Sequence, residues 1–181
     1  MDQPVIIVSS DEIDDKVSAL ATHIIADAKQ QKPIFVALLR GAAPFASKLM
    51  FAIAHQAPEF HPEIDYMMVS TYGRERSASQ PEIVTDLSPA TDIANRDVII
   101  LDDVLDKGIT ADFVTKHLLA KGANRVKLAV LADKQTKRVM PIKADYACLN
   151  VDDVWLAGMG MDDSASGVEH YRWHDKIYQI K

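Results

Sequence analysis

Val98-Ile99-Ile100-Leu101-Asp102-Asp103-Val104-Leu105-Asp106-Lys107-Gly108-Ile109-Thr110 passes from a strand through an acidic turn into a helix. The run Val98 to Leu101 has the unbroken apolar character of a strand buried on both faces of a parallel sheet. Two adjacent carboxylates end it, a third follows at Asp106, and beyond Gly108 a helical pattern starts at Thr110. Ala111, Val114, Leu118 and Leu119 share one face of that helix, and Lys121-Gly122 closes it. In open α/β sheets ligands bind beyond the carboxyl ends of the strands. This turn can hold an anion and a cation together. Free N–H groups and the positive end of the helix suit a phosphate, while Asp102 and Asp103 suit Mg²⁺ or sugar hydroxyls. A ribose phosphate would use both halves. The same layout also serves proteins in which the aspartates only cap a helix and the glycine only makes a turn.

A chain of 181 residues is long enough for one domain with a substantial core and short for two. With 48% hydrophobic and 25% charged residues it has the composition of a soluble globular protein. The excess of 26 acidic over 20 basic residues, a net charge of −6, argues against general binding of nucleic acid. A single cysteine, Cys148, excludes an internal disulfide framework and fits a reducing compartment. It reads as a core residue of a strand. No apolar run approaches the roughly 18 residues of a membrane span, and the N-terminus lacks the basic and apolar regions of a signal peptide. The expectation is a cytoplasmic protein with no membrane partner.

Around the central stretch, strands are expected at Val5–Val8, Ile34–Leu39, Ile64–Ser70, Ile83–Leu87, Val126–Ala132, Tyr146–Asn150 and Val154–Ala157, with a closing edge strand at Lys176–Ile180. Ser9-Ser10-Asp11-Glu12 resembles a capping box, and the helix after it aligns Ile13, Val17, Leu20, Ile24 and Ile25. Arg40-Gly41 turns the chain into another helix, with Pro44 in its first turn and Phe45, Leu49, Met50 and Ile53 toward the core. Thr71 to Pro81 is polar and reads either as a lid or as a hairpin tip. Strands and helices alternate without a linker or repeat, which gives an α/β domain around a mainly parallel sheet, flanked by helices.

The pattern acidic-acidic-apolar-apolar-Asp-x-Gly-x-Thr, Asp102 to Thr110, resembles the phosphoribosyl-pyrophosphate (PRPP) loop of the type I phosphoribosyltransferases. Three further segments are similar to that family in order. Leu38-Leu39-Arg40-Gly41-Ala42 resembles its pyrophosphate loop. Lys134 falls where its purine enzymes place the lysine that recognises a 6-oxo group. Val154-Trp155-Leu156-Ala157-Gly158-Met159-Gly160-Met161-Asp162 resembles a segment of the hypoxanthine and hypoxanthine-guanine enzymes. The resemblance spans Leu38 to the C-terminus. It implies the type I phosphoribosyltransferase fold over residues 1–181, with a small hood built from the N- and C-terminal segments and a flexible lid loop at about 71–82.

The resemblance also implies roles. PRPP and a 6-oxopurine base would be the substrates, with hypoxanthine and guanine the bases, in purine salvage. Asp102 and Asp103 would hold the ribose hydroxyls and a Mg²⁺, and Asp162 a second Mg²⁺ on the pyrophosphate. Asp106 would be the general base taking the purine N7 proton. Lys107, Gly108, Ile109 and Thr110 would cradle the 5-phosphate. Leu39, Arg40, Gly41 and Arg172 would hold the pyrophosphate, and Thr71 and Tyr72 would sit in the lid. Lys134, Trp155 and Leu156 would receive the purine, Trp155 as a flat face. A homo-oligomer, dimer or tetramer, is implied as well. The chain departs from the family in three places. Lys107 stands where the family has Thr or Ser, so it either pairs with the phosphate or crowds it. Ser164 to Gly167 lengthen the segment before Arg172. Asp163 occupies a position expected to be aromatic. Two other readings share the motifs: a xanthine-guanine enzyme, and an RNA-binding regulator that senses PRPP or nucleotide. His170 and His174 have the spacing of two metal ligands on a helix, but no helical pattern and no third ligand accompany them.

Overall fold

Ile34 to Leu39 carry no polar side chain, so a strand made of them needs apolar cover on both faces. The computed structural model, which describes residues 4–28, 32–72, 78–162 and 170–180, supplies that cover. The chain runs β1 (Val5–Val8), α1 (Ser10–Asp27), β2 (Ile34–Leu39), α2 (Ala43–Gln56), β3 (Glu63–Tyr72), β4 (Ala78–Thr85), β5 (Asp97–Leu105), α3 (Ile109–Ala120), β6 (Arg125–Lys134), β7 (Tyr146–Val151), β8 (Trp155–Ala157) and β9 (Ile177–Ile180). Six strands form one sheet in the order β4-β3-β2-β5-β6-β7. All its pairings are parallel except β3 with β4.

Alternate residues of the central strands face opposite layers. Phe35 and Ala37 of β2, Ile99 and Leu101 of β5, and Ala129 and Leu131 of β6 join one core with Ile13, Leu20 and Ile24 of α1 and Phe45, Leu49 and Ile53 of α2. Ile34, Val36, Val98, Ile100, Leu128 and Val130 join the other with Ala111, Val114 and Leu118 of α3. Leu119, expected on that stripe, is 46% exposed. The burial follows the i, i+3, i+7 line, from which position 119 departs. The Ser9 cap is present, its Oγ accepting from the Glu12 N–H at 3.2 Å.

A second sheet gathers β1, β9 and β8, all antiparallel. β9 is therefore a central strand of a small sheet, not an edge strand, because β1 from the other end of the chain pairs with its free side. Both ends of the polar stretch at 71–81 are strand rather than loop. β3 extends through Tyr72 and β4 begins at Ala78, so only residues 73–77 of the expected lid lie outside the described residues.

Cys148 is buried in β7, and burial pushes its thiol up to about 12. At about pH 8, on the order of one thiol in ten thousand is then ionised. A maleimide or disulfide reagent should leave the folded protein unlabelled over an hour and label it fully in denaturant. Rapid labelling of the folded chain, read by mass, would contradict this burial.

Candidate active site

From β2 the chain passes through α2 to β3 on one side, while β5 lies on the other. The strand order reverses at the β2–β5 pair, the place where open α/β sheets leave a crevice beyond their carboxyl ends. The pairing lengths shape that crevice. β5 pairs with β2 only as far as Ala37↔Leu101, but with β6 as far as Leu105↔Asp133. The expected end of the strand at Leu101 is thus moved to Leu105. Asp102 and Asp103 belong to β5, where it has lost one neighbour and keeps the other. Their position comes from β2 turning away at Leu39.

A cavity of about 920 Å³ opens there, of a size for a drug-sized ligand. Leu39, Arg40, Gly41, Asp102, Asp103, Asp106, Lys107, Thr110, Lys134, Trp155, Leu156, Asp162 and Arg172 all line it. Gly108 and Ile109 are outside its wall: they cap and open α3. Thr71 and Tyr72 end β3, and their side chains lie outside the described residues.

At the acidic end, Asp102 accepts from the Asp103 N–H at 3.0 Å and Asp103 from the Val104 N–H at 2.7 Å. Burial, and then the neighbouring Asp103 charge, raise Asp102 well above the usual carboxylate range. Asp103 is raised too, because burial outweighs the Val104 N–H and the positive charge of Arg172. The pair presents hard oxygens whose mutual repulsion a cation would relieve. Asp103 also fills the space above Gly41, where a Cβ would overlap its carboxylate. Asp106 differs from both. Its Oδ1 is buried and has no hydrogen-bond partner among the described residues, a costly state for an acceptor unless a ligand donates to it.

Arg172 is 7% exposed, and the structure binds it to Asp162 at 3.0 Å and to the Gly160 carbonyl at 2.5 Å. The late arginine is thus brought to the crevice despite the long segment before it. Arg40, by contrast, is exposed on the loop after β2. His174 packs among tyrosines. It meets the Tyr178 hydroxyl at 3.0 Å and packs by ring edges with Tyr171 and Tyr178. Among the described residues no three His, Cys, Asp or Glu side chains group as a metal cage.

Another part of the lining carries aromatic and basic residues. Trp155 is 46% exposed, with its Nε1 donating to the Asp162 carbonyl at 3.2 Å. Leu156 is buried beside it, and Lys134 is 8% exposed. Lys134 is the last residue of β6 rather than a loop residue, because β7 pairs along β6 to Lys134↔Val151. Two residues of this wall had no sequence signal. Lys137 and Asp153, from the loops after β6 and β7, pair across it at 2.5 Å. They are far apart in sequence and follow no motif.

An acidic pair, a helix N-terminus and a basic turn meet at the switch point of an open α/β sheet, where proteins of this class bind their ligands. The phosphoribosyl transferase domain family matches residues 9–164, and the chain belongs to it. It is 34% identical over 168 residues to a hypoxanthine-guanine phosphoribosyltransferase of Streptococcus pyogenes, covering 92% of this chain and 87% of that one. A protein of the same description from Streptococcus mutans is 35% identical with the same coverage. A crystal structure of a hypoxanthine phosphoribosyltransferase from Staphylococcus aureus is similar with a TM-score of 0.85, at 28% identity, covering 98% of this chain and 91% of that one. The fold is the type I phosphoribosyltransferase fold.

Proposed function

We propose that the protein transfers the 5-phosphoribosyl group of PRPP to a 6-oxopurine, hypoxanthine or guanine, giving the purine 5′-monophosphate and pyrophosphate. The observation that carries this is one crevice joining the acidic strand end and α3 N-terminus to the Trp155–Lys134 wall. In the reaction the C1–O bond to pyrophosphate breaks, a C1–N bond to the purine forms, and the purine gives up a proton.

Each group has a part in that scheme. Backbone N–H groups of Lys107 and Thr110, with the Thr110 hydroxyl, hold the 5-phosphate, and Gly108 and Ile109 make the turn behind them. Asp102 and Asp103 orient the ribose hydroxyls. Arg40, Gly41 and Arg172 receive the pyrophosphate, whose charge grows as it leaves. Trp155 covers one face of the base, Leu156 offers backbone groups to its edge, and Lys134 donates to the 6-oxo oxygen. Asp106 takes the purine proton on the Oδ1 that has no partner among the described residues. The hood is assigned to the β1-β9-β8 sheet and the lid to the β3–β4 tip with Thr71 and Tyr72, which would exclude water from the sugar cation. Mg²⁺, for which Asp102, Asp103 and Asp162 are the carboxylate ligands, would supply positive charge against the pyrophosphate when bound. Cytoplasmic location and homo-oligomeric assembly belong to the same reading.

The decisive assay offers PRPP and Mg²⁺ with hypoxanthine, guanine, xanthine, adenine or uracil. Nucleotide from hypoxanthine or guanine, with little from adenine or uracil, supports the proposal. Xanthine as the preferred base would replace it with a xanthine-guanine enzyme, and no turnover with any base would refute it.

The acidic pair gives a pH test of the metal ligands. A carboxylate raised in the folded state contributes nothing below its ordinary value of 3.8. Above that it costs stability progressively as pH rises through the folded value. A bound cation removes that cost, so MgCl₂ should raise the melting temperature less near about pH 4, where the raised pair holds its protons, than at about pH 8. Equal shifts at both pH values, measured by thermal denaturation, would count against Asp102 and Asp103 as ligands.

A further inference from the structure

Arg138, in the loop after β6, is absent from every motif, and its side chain is 16% exposed. Its Nε donates to the Asp106 carbonyl at 2.8 Å, and its Nη2 lies 3.4 Å from the Leu105 carbonyl. The same Nη2 reaches the Lys134 carbonyl at 3.2 Å and pairs with the Asp133 carboxylate, while Nη1 donates to the Ile142 carbonyl at 2.6 Å. The next two residues continue the pattern, the Val139 and Met140 N–H groups donating to the Lys107 carbonyl at 3.0 and 3.1 Å. Three consecutive carbonyls, from Leu105 to Lys107, are thus held by residues 138–140. In a trans peptide the C=O and the following N–H point in opposite directions. Holding those carbonyls therefore turns the N–H groups of Asp106, Lys107 and Gly108 away from the Arg138 loop.

We propose that Arg138, anchored by Asp133, is a positioning residue that fixes the Asp106 carboxylate against the Lys134 wall. This rests on the proposed phosphoribosyl transfer. Arg138 touches no substrate in this role. It acts through the Asp106 backbone and, by gripping both Lys134 and Asp106, sets the distance between the group that recognises the base and the group that takes its proton. A guanidinium is suited to it because its planar fork presents several donors at fixed angles. An ammonium at the same place can keep the charge pair with Asp133 but cannot span the four carbonyls.

The test is a double-mutant cycle on kcat in the full-length chain, with PRPP, Mg²⁺ and hypoxanthine. Arg138→Lys should lower kcat roughly 10- to 100-fold, the range that misplacing a catalytic group by about an ångström produces. In an Asp106→Asn background the same change should cost about twofold or less, because the group being positioned is already gone. A kcat within about twofold of wild type, or equal losses in both backgrounds, would overturn the positioning role, since a merely structural residue costs the same in either. Should Arg138→Lys fail to fold by circular dichroism, Asp133→Asn carries the same cycle. It keeps the shape and loses the anchoring charge, with a several-fold loss expected in wild type and none in Asp106→Asn. A wild-type chain that makes no nucleotide from any base overturns the functional reading and this inference with it. Wild-type turnover with equal losses overturns this inference alone.

Discussion

Asp106→Asn is expected to lower kcat with hypoxanthine and PRPP by about 10²- to 10⁴-fold, the usual contribution of a positioned general base. The substitution is nearly isosteric and leaves the backbone carbonyl that Arg138 holds. Thus the melting temperature and the KM for PRPP should change little. The Asp106 Oδ1 has no partner among the described residues, so replacing the charge removes no protein hydrogen bond from it. The effect is therefore confined to the chemistry. A variant with full turnover would remove Asp106 from the role of base. A variant with a much lower melting temperature would show that the carboxylate is structural. Stopped-flow or steady-state rates alongside a thermal melt separate the two.

Gly160→Ala, beside the crevice wall, should be strongly damaging. Gly160 sits at φ +96°, and a Cβ there would overlap the carbonyl oxygen of Gly41, a backbone atom that cannot swing aside. Its own carbonyl accepts from the Arg172 guanidinium at 2.5 Å, and its N–H donates to the Arg172 carbonyl at 2.8 Å. Strain at this residue is therefore transmitted to the Arg172–Asp162 pair and to the loop after β2 together. A cost of about 3 kcal/mol is expected from the clash and the disfavoured backbone. For a chain of this size that is a fall of roughly 6–12 °C in melting temperature. The KM for PRPP should rise as well, because Gly41 and Arg172 flank the proposed pyrophosphate site. A melting temperature within about 2 °C of wild type would mean that the two loops are not in contact in solution.

Much of this was legible in the chain. The apolar runs at 34–39 and 98–101 read as strands covered on both faces, and the pattern from Asp102 to Thr110 read as an acidic turn between a strand and a helix. Such features are local, since periodicity, capping and a loop motif depend on residues a few positions apart. Other features escaped it because they depend on partners distant in sequence. Strand ends are set by neighbours: β5 continues to Leu105 because β6 lies beside it, and β9 is central because β1 reaches it. Nothing around Arg138 marked it, since its partners are mostly main-chain carbonyls, and a carbonyl is the same at every residue.

The α/β class, the core strands, the acidic turn and the family to which the chain belongs could be read from the residues, because each is written in contiguous positions. The folded arrangement was needed to show that Asp103 fills the space above Gly41, that Arg172 reaches Asp162, and that Trp155 lines the same cavity as the acidic strand end. The reason is the switch in strand order between β2 and β5. It brings segments from both halves of the chain to one opening, and no local pattern encodes which strand ends become neighbours.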